Sequence, residues 1–368
     1  MEQSCYTARL ERVRAGMKTR GIDVFILGPS SNLRYLTGYT MPGDERPLFL
    51  VLPSEGPAFI LANLLYRSQV EVLPVEDRLF WTDGEDPFAV LQEAVARRGL
   101  PLGRAALEPH LPAAFSLPLG LSFPRTQFVL GDALTAELRQ YKDPAELELI
   151  RYASREADRI LGAVMERGSS WLGHREAELA EVIHALFREA GLEPWDAIVA
   201  AGENGASPHH ASGSTPIQAG KGLIVDFGGR YQGYTTDCTR TFFFGSPSPE
   251  FEELHRIVLE AHLAAEEAAR PGNTLGDVDA AARGTIEKYG YGDYFTHRTG
   301  HGIGLDTHEG ASASRGETTP LKAGMVFSIE PGIYLPGRFG VRIENLVAIT
   351  ETGREVLHRF PRELQVYG

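Results

Sequence analysis

The spacing of apolar and polar positions divides this 368-residue chain into two stretches of different rhythm. In the first, "ARLERVRAGMKTRG" has the amphipathic spacing of a helix and reaches Gly21, a residue suited to a helix stop. The runs "DVFILG", "LFLVLP" and "PAFILA" are short, apolar and bounded by Gly or Pro, as buried strands are. They predict a small α/β domain. The rhythm changes at "RQYKDPAELELIRYA". There Asp143 is a good N-cap, Pro144 fits the first turn and Glu146 completes a capping-box pattern, so a long helix should run toward Met165. Beyond this point the order of elements repeats. Helical patterns at about 144–166 and 174–190 precede a hairpin at about 222–244, and patterns at about 249–270 and 275–289 precede another at about 325–350. The halves share an order of elements without evident sequence identity. The expected class is α+β, with domains at 1–137 and 138–368.

Each predicted hairpin carries two carboxylates in apolar strands. In "LIVDFGGRYQGYTTDCTRTFFF", a turn centred on Tyr231 and Gln232 would put Asp226 directly across from Asp237. In "FSIEPGIYLPGRFGVRIEN", Glu330 and Glu344 can face one another in the same way. Like charges so placed repel, and burial adds to the cost, so a positive group must lie between them. Arg342 can neutralise one carboxylate. Four are hard to pair off in that manner, and a divalent metal cluster is the natural alternative.

The stretch "HRTGHGIGLDTHEG" adds three of the chain's 11 histidines and four glycines. His297 and His301 have the spacing of a helical zinc pair, but Gly300, Gly302 and Gly304 disfavour a helix. An extended backbone is expected instead, bringing one imidazole to the carboxylates as a nitrogen ligand while the others line a substrate site.

Charge and composition narrow the classes. A net charge of −13 disfavours nucleic acid or an anionic membrane as partner. No apolar run approaches the roughly 18 residues of a transmembrane helix, and "MEQSCYTARLERVRAG" lacks the apolar core of a secretory signal. Cys5 and Cys238 are too few for a disulfide framework. A cytoplasmic protein is expected.

The motifs "IVDFGGRYQGYTTDCTRT", "GHGIGLDTHE", "GMVFSIEPGIY" and "GVRIEN", in that order, resemble the pita-bread metallopeptidases: prolidase, aminopeptidase P and methionine aminopeptidase, with creatinase as a metal-free relative. The first domain resembles the creatinase-like α/β domain that methionine aminopeptidases generally lack. The resemblance implies two divalent ions, Mn(II) foremost with Co(II) or Zn(II) as alternatives, held by Asp226, Asp237, His301, Glu330 and Glu344. Asp237 and Glu344 would contact both ions, and Glu330 would act as base toward a metal-bridging hydroxide. His297, His308 and His209 match substrate-facing and catalytic histidines, with His210 an alternative to His209. Tyr334 and Arg342 match residues that proline-directed members place beside the cluster. His174, His184, His255 and His262 fall in helical patterns as surface or packing residues, and Cys238 points to the opposite strand face as core.

The function implied is hydrolysis of the bond before proline, by an Xaa-Pro dipeptidase or aminopeptidase acting on small peptides as a homodimer. Alternatives are a broad-specificity or methionine aminopeptidase of the same fold, or a non-catalytic pita-bread binding protein. One departure bears on the choice. After "HEG" the chain reads "ASASRGE", with Ser312 where some prolidases carry an arginine for the substrate's free carboxylate, and Arg315 three residues on.

Overall fold

The computed structural model describes residues 3–41, 43–75 and 77–368. They form two units, Met1–Arg139 and Gln140–Gly368. The helix Asp132–Arg139 runs past residue 137, so the division comes at its end rather than within it.

In the first unit the helix Gln3–Thr19 ends before Gly21, which takes a left-handed φ of 60°. A six-stranded mixed sheet has the order Asp77–Trp81, Phe59–Asn63, Phe49–Pro53, Val24–Leu27, Arg104–Leu107, Gln127–Leu130. The three strands expected from apolar runs are its middle members, buried along their whole length. Phe49, Leu61, Trp81, Leu91 and Phe115 form a core on one face.

The second unit begins with the helix Pro144–Met165. Asp143 accepts from the Glu146 amide and Glu146 accepts from the Asp143 amide, completing the expected capping box. Its buried positions, Ile150, Ala153, Ala157, Ile160, Leu161 and Val164, recur at helical spacing and pack with the helix Glu176–Glu189 against one face of the first hairpin. That hairpin comprises strands Lys221–Tyr231 and Tyr234–Phe244. Helices Pro249–Ala268 and Leu275–Lys288 cover the second hairpin in the same way. Each large aliphatic side chain so buried contributes roughly 1.5–3 kcal/mol. The two helix-helix-hairpin halves thus follow the expected order.

The first hairpin departs from expectation by one residue. Its two-residue loop is Gln232 and Gly233, with φ of 48° and 88°. Two consecutive positive φ values suit a type I′ turn, and glycine takes the second at no steric cost. Asp226 therefore faces Thr239, and Asp237 faces Gly228. The aspartates are diagonal neighbours, still on one face because the pairing moves by two.

The second hairpin is broken in the middle. Strands Val326–Ile329 and Asn345–Ile349 pair, then Gly332–Leu335 and Phe339–Arg342, with the same register on both sides of the gap. That register sets Glu330 across from Glu344, as expected. The hairpins join at Thr239, whose carbonyl accepts from the Glu344 amide at 3.0 Å. Arg240 is buried behind this joint, and its guanidinium donates to the carbonyls of Glu344, Phe360 and Pro361 and to Asn345 Oδ1. Cys238 lies buried on the face packed against the first pair of helices, as predicted. Among the described residues no helix is long and apolar enough to cross a membrane.

The helical histidines divide. His174 is partly exposed and His184 half-buried, whereas His255 and His262 are buried. His255 Nε2 has no hydrogen-bond partner among the described residues. Burial lowers its pKa from 6.5 to about 4, opposed by Glu363 and assisted by Arg240. Because the folded value is depressed, the unfolded chain binds the proton first, so stability falls as pH drops from 6.5 through 4. Between pH 7 and 5 this group alone should cost about 2 kcal/mol. His255→Leu should abolish that part of the acid slope, seen as a thermal midpoint that falls less between pH 7 and pH 5 than the parent's. An unchanged slope would refute it.

Candidate metal centre and substrate cavity

The glycine-rich segment reaches the hairpins as extended chain. Gly300–His301 pairs with Ser312–Ala313, and the glycines allow close backbone approach. A Cβ on Gly300 would lie 1.7 Å from the Ser328 carbonyl oxygen, and one on Gly302 would lie 2.1 Å from that of Glu309. Any side chain there would push the segment off its support. Ser328 completes the attachment by accepting from the His301 amide at 3.0 Å and donating to Glu330 Oε1 at 3.1 Å.

Donor atoms of Asp237, His301 and Glu344 consequently lie within 4.8 Å of one another. The imidazole sits against carboxylates at 3.3 Å (Glu330 Oε1) and 3.6 Å (Asp237 Oδ2). Its Nδ1 faces the Gly302 carbonyl at 3.2 Å and must donate there, which leaves a lone pair on Nε2. Burial, with His308 nearby, lowers the His301 pKa to about 3, so the ring is neutral. The Nε2 lone pair then faces carboxylate oxygens, and a proton or a cation must lie between them.

The carboxylates are no better satisfied. Asp226 Oδ1, Asp237 Oδ1 and Glu344 Oε1 are buried without a hydrogen-bond partner among the described residues. Burial, then the charge of Glu344, Asp226 and Glu330, holds the Asp237 carboxyl well above the usual range. Burial and the charges of Glu330 and Asp226 do the same to Glu344. Glu330 is pushed up to about 7 by burial, against the pull of Arg342. Buried polar atoms of native proteins nearly always have partners, and each exception needs a cause. Three such oxygens converging with an imidazole lone pair suit divalent cations: hard oxygen donors, one nitrogen, and a histidine oriented through its other nitrogen by a backbone carbonyl.

A cavity of about 340 Å³ opens beside these groups, lined by Pro208, His209, Asp226, His297, Arg298, His301, His308, Glu330 and Arg342. Arg342 is buried, and all three of its guanidinium nitrogens donate hydrogen bonds. It donates to Asp226 Oδ2 at 2.6 Å, Tyr334 Oη at 2.9 Å, the Pro208 carbonyl at 3.3 Å and Thr239 Oγ1 at 3.3 Å. Its neutralising role toward Asp226 is therefore evident in the geometry. Tyr334, raised to about 12 by burial, keeps its proton and donates a 2.8 Å hydrogen bond to His297 Nε2. His297 Nδ1 donates to the Arg298 carbonyl at 2.7 Å. His297 thus lines the cavity with both ring nitrogens committed to the protein.

His308 stacks edge-on against His301, with ring centroids 4.2 Å apart, and burial followed by the charge of Arg298 lowers its pKa. Of the adjacent pair, His209 lines the cavity, while His210 Nε2 turns to Glu176 Oε2 at 2.8 Å. His209 also borders a second cavity of about 560 Å³ with His184, Asp196 and His210.

Several positioning groups escaped the sequence reading. Glu176 is fully buried and also accepts from the amides of Ala201 and Gly213 and from Asn204, fixing the loop that carries His209. Lys142 and Glu309 form a buried 2.9 Å ion pair that anchors the turn holding His308. Thr239 donates to Glu344 Oε2 at 2.7 Å from the centre of the four carboxylates. Ser312 accepts from Arg298 Nη1 at 3.0 Å, whereas Arg315 is exposed and pairs with Glu287. These partners are too distant in sequence to be read together.

Comparisons with known proteins agree with this architecture. Residues 9–141 match the creatinase/prolidase N-terminal domain, and residues 148–351 match metallopeptidase family M24. A probable dipeptidase PepE of Mycobacterium bovis is 36% identical over 98% of this chain and 96% of its own. The crystal structure of a prolidase from Thermococcus sibiricus superposes with a TM-score of 0.94 at 36% identity, covering 100% of this chain and 99% of that one. A dipeptidase from Pyrococcus horikoshii gives 0.91 at 37% identity, covering 97% and 99%. A pita-bread domain preceded by a creatinase-type domain, with matches of this length, makes the chain a member of metallopeptidase family M24.

Proposed function

We propose that this peptidase hydrolyses the bond before proline in short peptides, using two divalent ions held by Asp226, Asp237, His301, Glu330 and Glu344. The observation that carries the reading is the set of orphaned oxygens on Asp226, Asp237 and Glu344 facing the Nε2 lone pair of a neutral His301. Divalent metal there supplies acidified water and Lewis-acid polarisation of a carbonyl. A carboxylate-rich set suits manganese, with cobalt or zinc as alternatives.

The chain's own residues then have separable tasks. Glu330, at the cavity wall, accepts the proton of the attacking water. His308 and His209, which line the cavity, donate hydrogen bonds to the tetrahedral intermediate, and one of them protonates the leaving nitrogen. Proline leaves as a ring amine, so that proton matters. His297 holds Tyr334, and through it Arg342, in place. The prolidase and dipeptidase names of similar proteins support the substrate class.

The direct test is turnover of Ala-Pro, Ala-Ala and Met-Ala-Ser by chelator-stripped protein reloaded with Mn(II), Co(II) or Zn(II). Metal-dependent preference for Ala-Pro is expected; cleavage of Met-Ala-Ser alone would identify a methionine aminopeptidase, and no turnover a binding protein. A second test needs no turnover. Asp237→Asn removes one of several repelling charges, so it should raise the thermal midpoint of stripped protein by a few degrees. The same change should abolish the further rise that Mn(II) gives the parent. A lower midpoint in stripped protein would contradict the charge argument. Finally, His209→Gln should cut kcat on Ala-Pro about 10²-fold with an unchanged thermal midpoint. His210→Gln, which breaks the hydrogen bond to buried Glu176, should lower the midpoint instead; the reverse pattern would exchange the two roles.

A further inference from the structure

We propose that Arg298 binds the C-terminal carboxylate of a dipeptide substrate, an assignment that rests on the peptidase reading above and selects a dipeptidase over an aminopeptidase. The cavity contains two guanidinium groups. Arg342 is spent on Asp226, Tyr334, Pro208 and Thr239. Arg298 is half-buried, lines the same cavity and has no carboxylate partner among the described residues. Its one side-chain hydrogen bond is Nη1 to Ser312 Oγ, a neutral acceptor. A guanidinium has five N–H donors in a planar fork matched to a carboxylate, and here most of them remain available.

Its position suits the chemistry. Ser312 pairs in register with His301, so the hydrogen bond tethers the guanidinium beside the proposed ligands. In a dipeptide the free carboxylate is attached to the carbon next to the leaving nitrogen. The cation that reads it must therefore stand within one residue of the scissile bond, and Arg298 lines the same cavity as Glu330 and His308. In a longer peptide the same carbon bears a neutral amide, which cannot form the charge-assisted pair.

This arrangement also accounts for the departure at Ser312. The loop supplies a hydroxyl that holds an arginine from the neighbouring segment, in place of an arginine of its own. Arg315 cannot substitute, because it is exposed and paired with Glu287.

The experiment compares kcat/KM of the Mn(II)-loaded protein for Ala-Pro, Ala-Pro-amide, Ala-Ala, Ala-Ala-amide and Ala-Pro-Ala. The parent should prefer each acid over its amide by about 30-fold or more, as charge-assisted recognition gives. Arg298→Met should bring that ratio to within about threefold of one, with the loss on the acid falling mainly on KM, because the carboxylate is bound equally in ground and transition states. Arg298→Lys, which keeps the charge but not the fork, should give an intermediate ratio. A parent ratio near one, or a ratio preserved in Arg298→Met, overturns the assignment, and the parent ratio decides even if the Met variant fails to fold. Proline selectivity is read separately from Ala-Pro against Ala-Ala. Cleavage of Ala-Pro-Ala without cleavage of Ala-Pro would overturn Arg298 while leaving the proline reading intact. Acid preference on Ala-Ala without proline preference would do the opposite.

Discussion

Repulsion among four carboxylates is the constraint around which the second unit is built. Asp226, Asp237, Glu330 and Glu344 come from two hairpins, and each hairpin is backed by its own apolar layer of paired helices. Of the four, Asp226 has a buried guanidinium as direct partner, in Arg342. The remaining three are held close together in a region that water screens poorly. Such a concentration of charge opposes folding unless a cation or protons neutralise it. Hydrophobic burial on both sides supplies the stability that lets the structure tolerate this cost. The need for positive charge is thus a property of the scaffold, present before any substrate is considered.

The scaffold meets that constraint by fixing backbone first. Glu344 is bridged to Thr239 through main-chain atoms, and Arg240 ties the Glu344 carbonyl to the C-terminal segment from behind. His301 is held through its amide by Ser328 and through Nδ1 by the Gly302 carbonyl. The imidazole can then turn only one nitrogen toward the carboxylates. Glu344 and His301 are thus fixed through main-chain atoms and the imidazole's Nδ1, which leaves Glu344 Oε1 and the His301 Nε2 lone pair free to meet a cation.

Much of this was legible because it depends on local patterns. The capping box at Asp143, the paired helices, both hairpins and the clustering of carboxylates on their inner faces follow from spacing within twenty residues or so. The first turn was displaced by one residue because Gln232, an unremarkable side chain, adopts a positive φ that nothing nearby advertises. The choice between His209 and His210 was undecidable for a related reason: adjacent residues in a loop differ only in where the chain points them, and Glu176, some thirty positions earlier, settles it. Lys142 with Glu309, and Ser328 with His301, are tertiary pairings of ordinary residues. Arg298 was hidden between two histidines, since sequence shows a charge but not whether that charge has a partner.

Pairing is also what separates the two arginines of the cavity. Arg342 stands on the hairpin that carries Glu344, where it offsets Asp226 and orders Tyr334 and His297 in a directed chain of hydrogen bonds. Truncating it would expose a buried carboxylate and disturb the whole wall, so its effect on any substrate would be general. Arg298 stands on the glycine-rich segment, held by one neutral hydroxyl. Loss of its charge leaves no buried anion behind among the described residues. The first arginine is part of the charge balance of the folded chain; the second is charge left over, facing the space where a substrate must lie. A cavity wall with one surplus cation beside the reacting bond discriminates by the charge on the carbon next to the leaving nitrogen, and that carbon is anionic only when the peptide ends there.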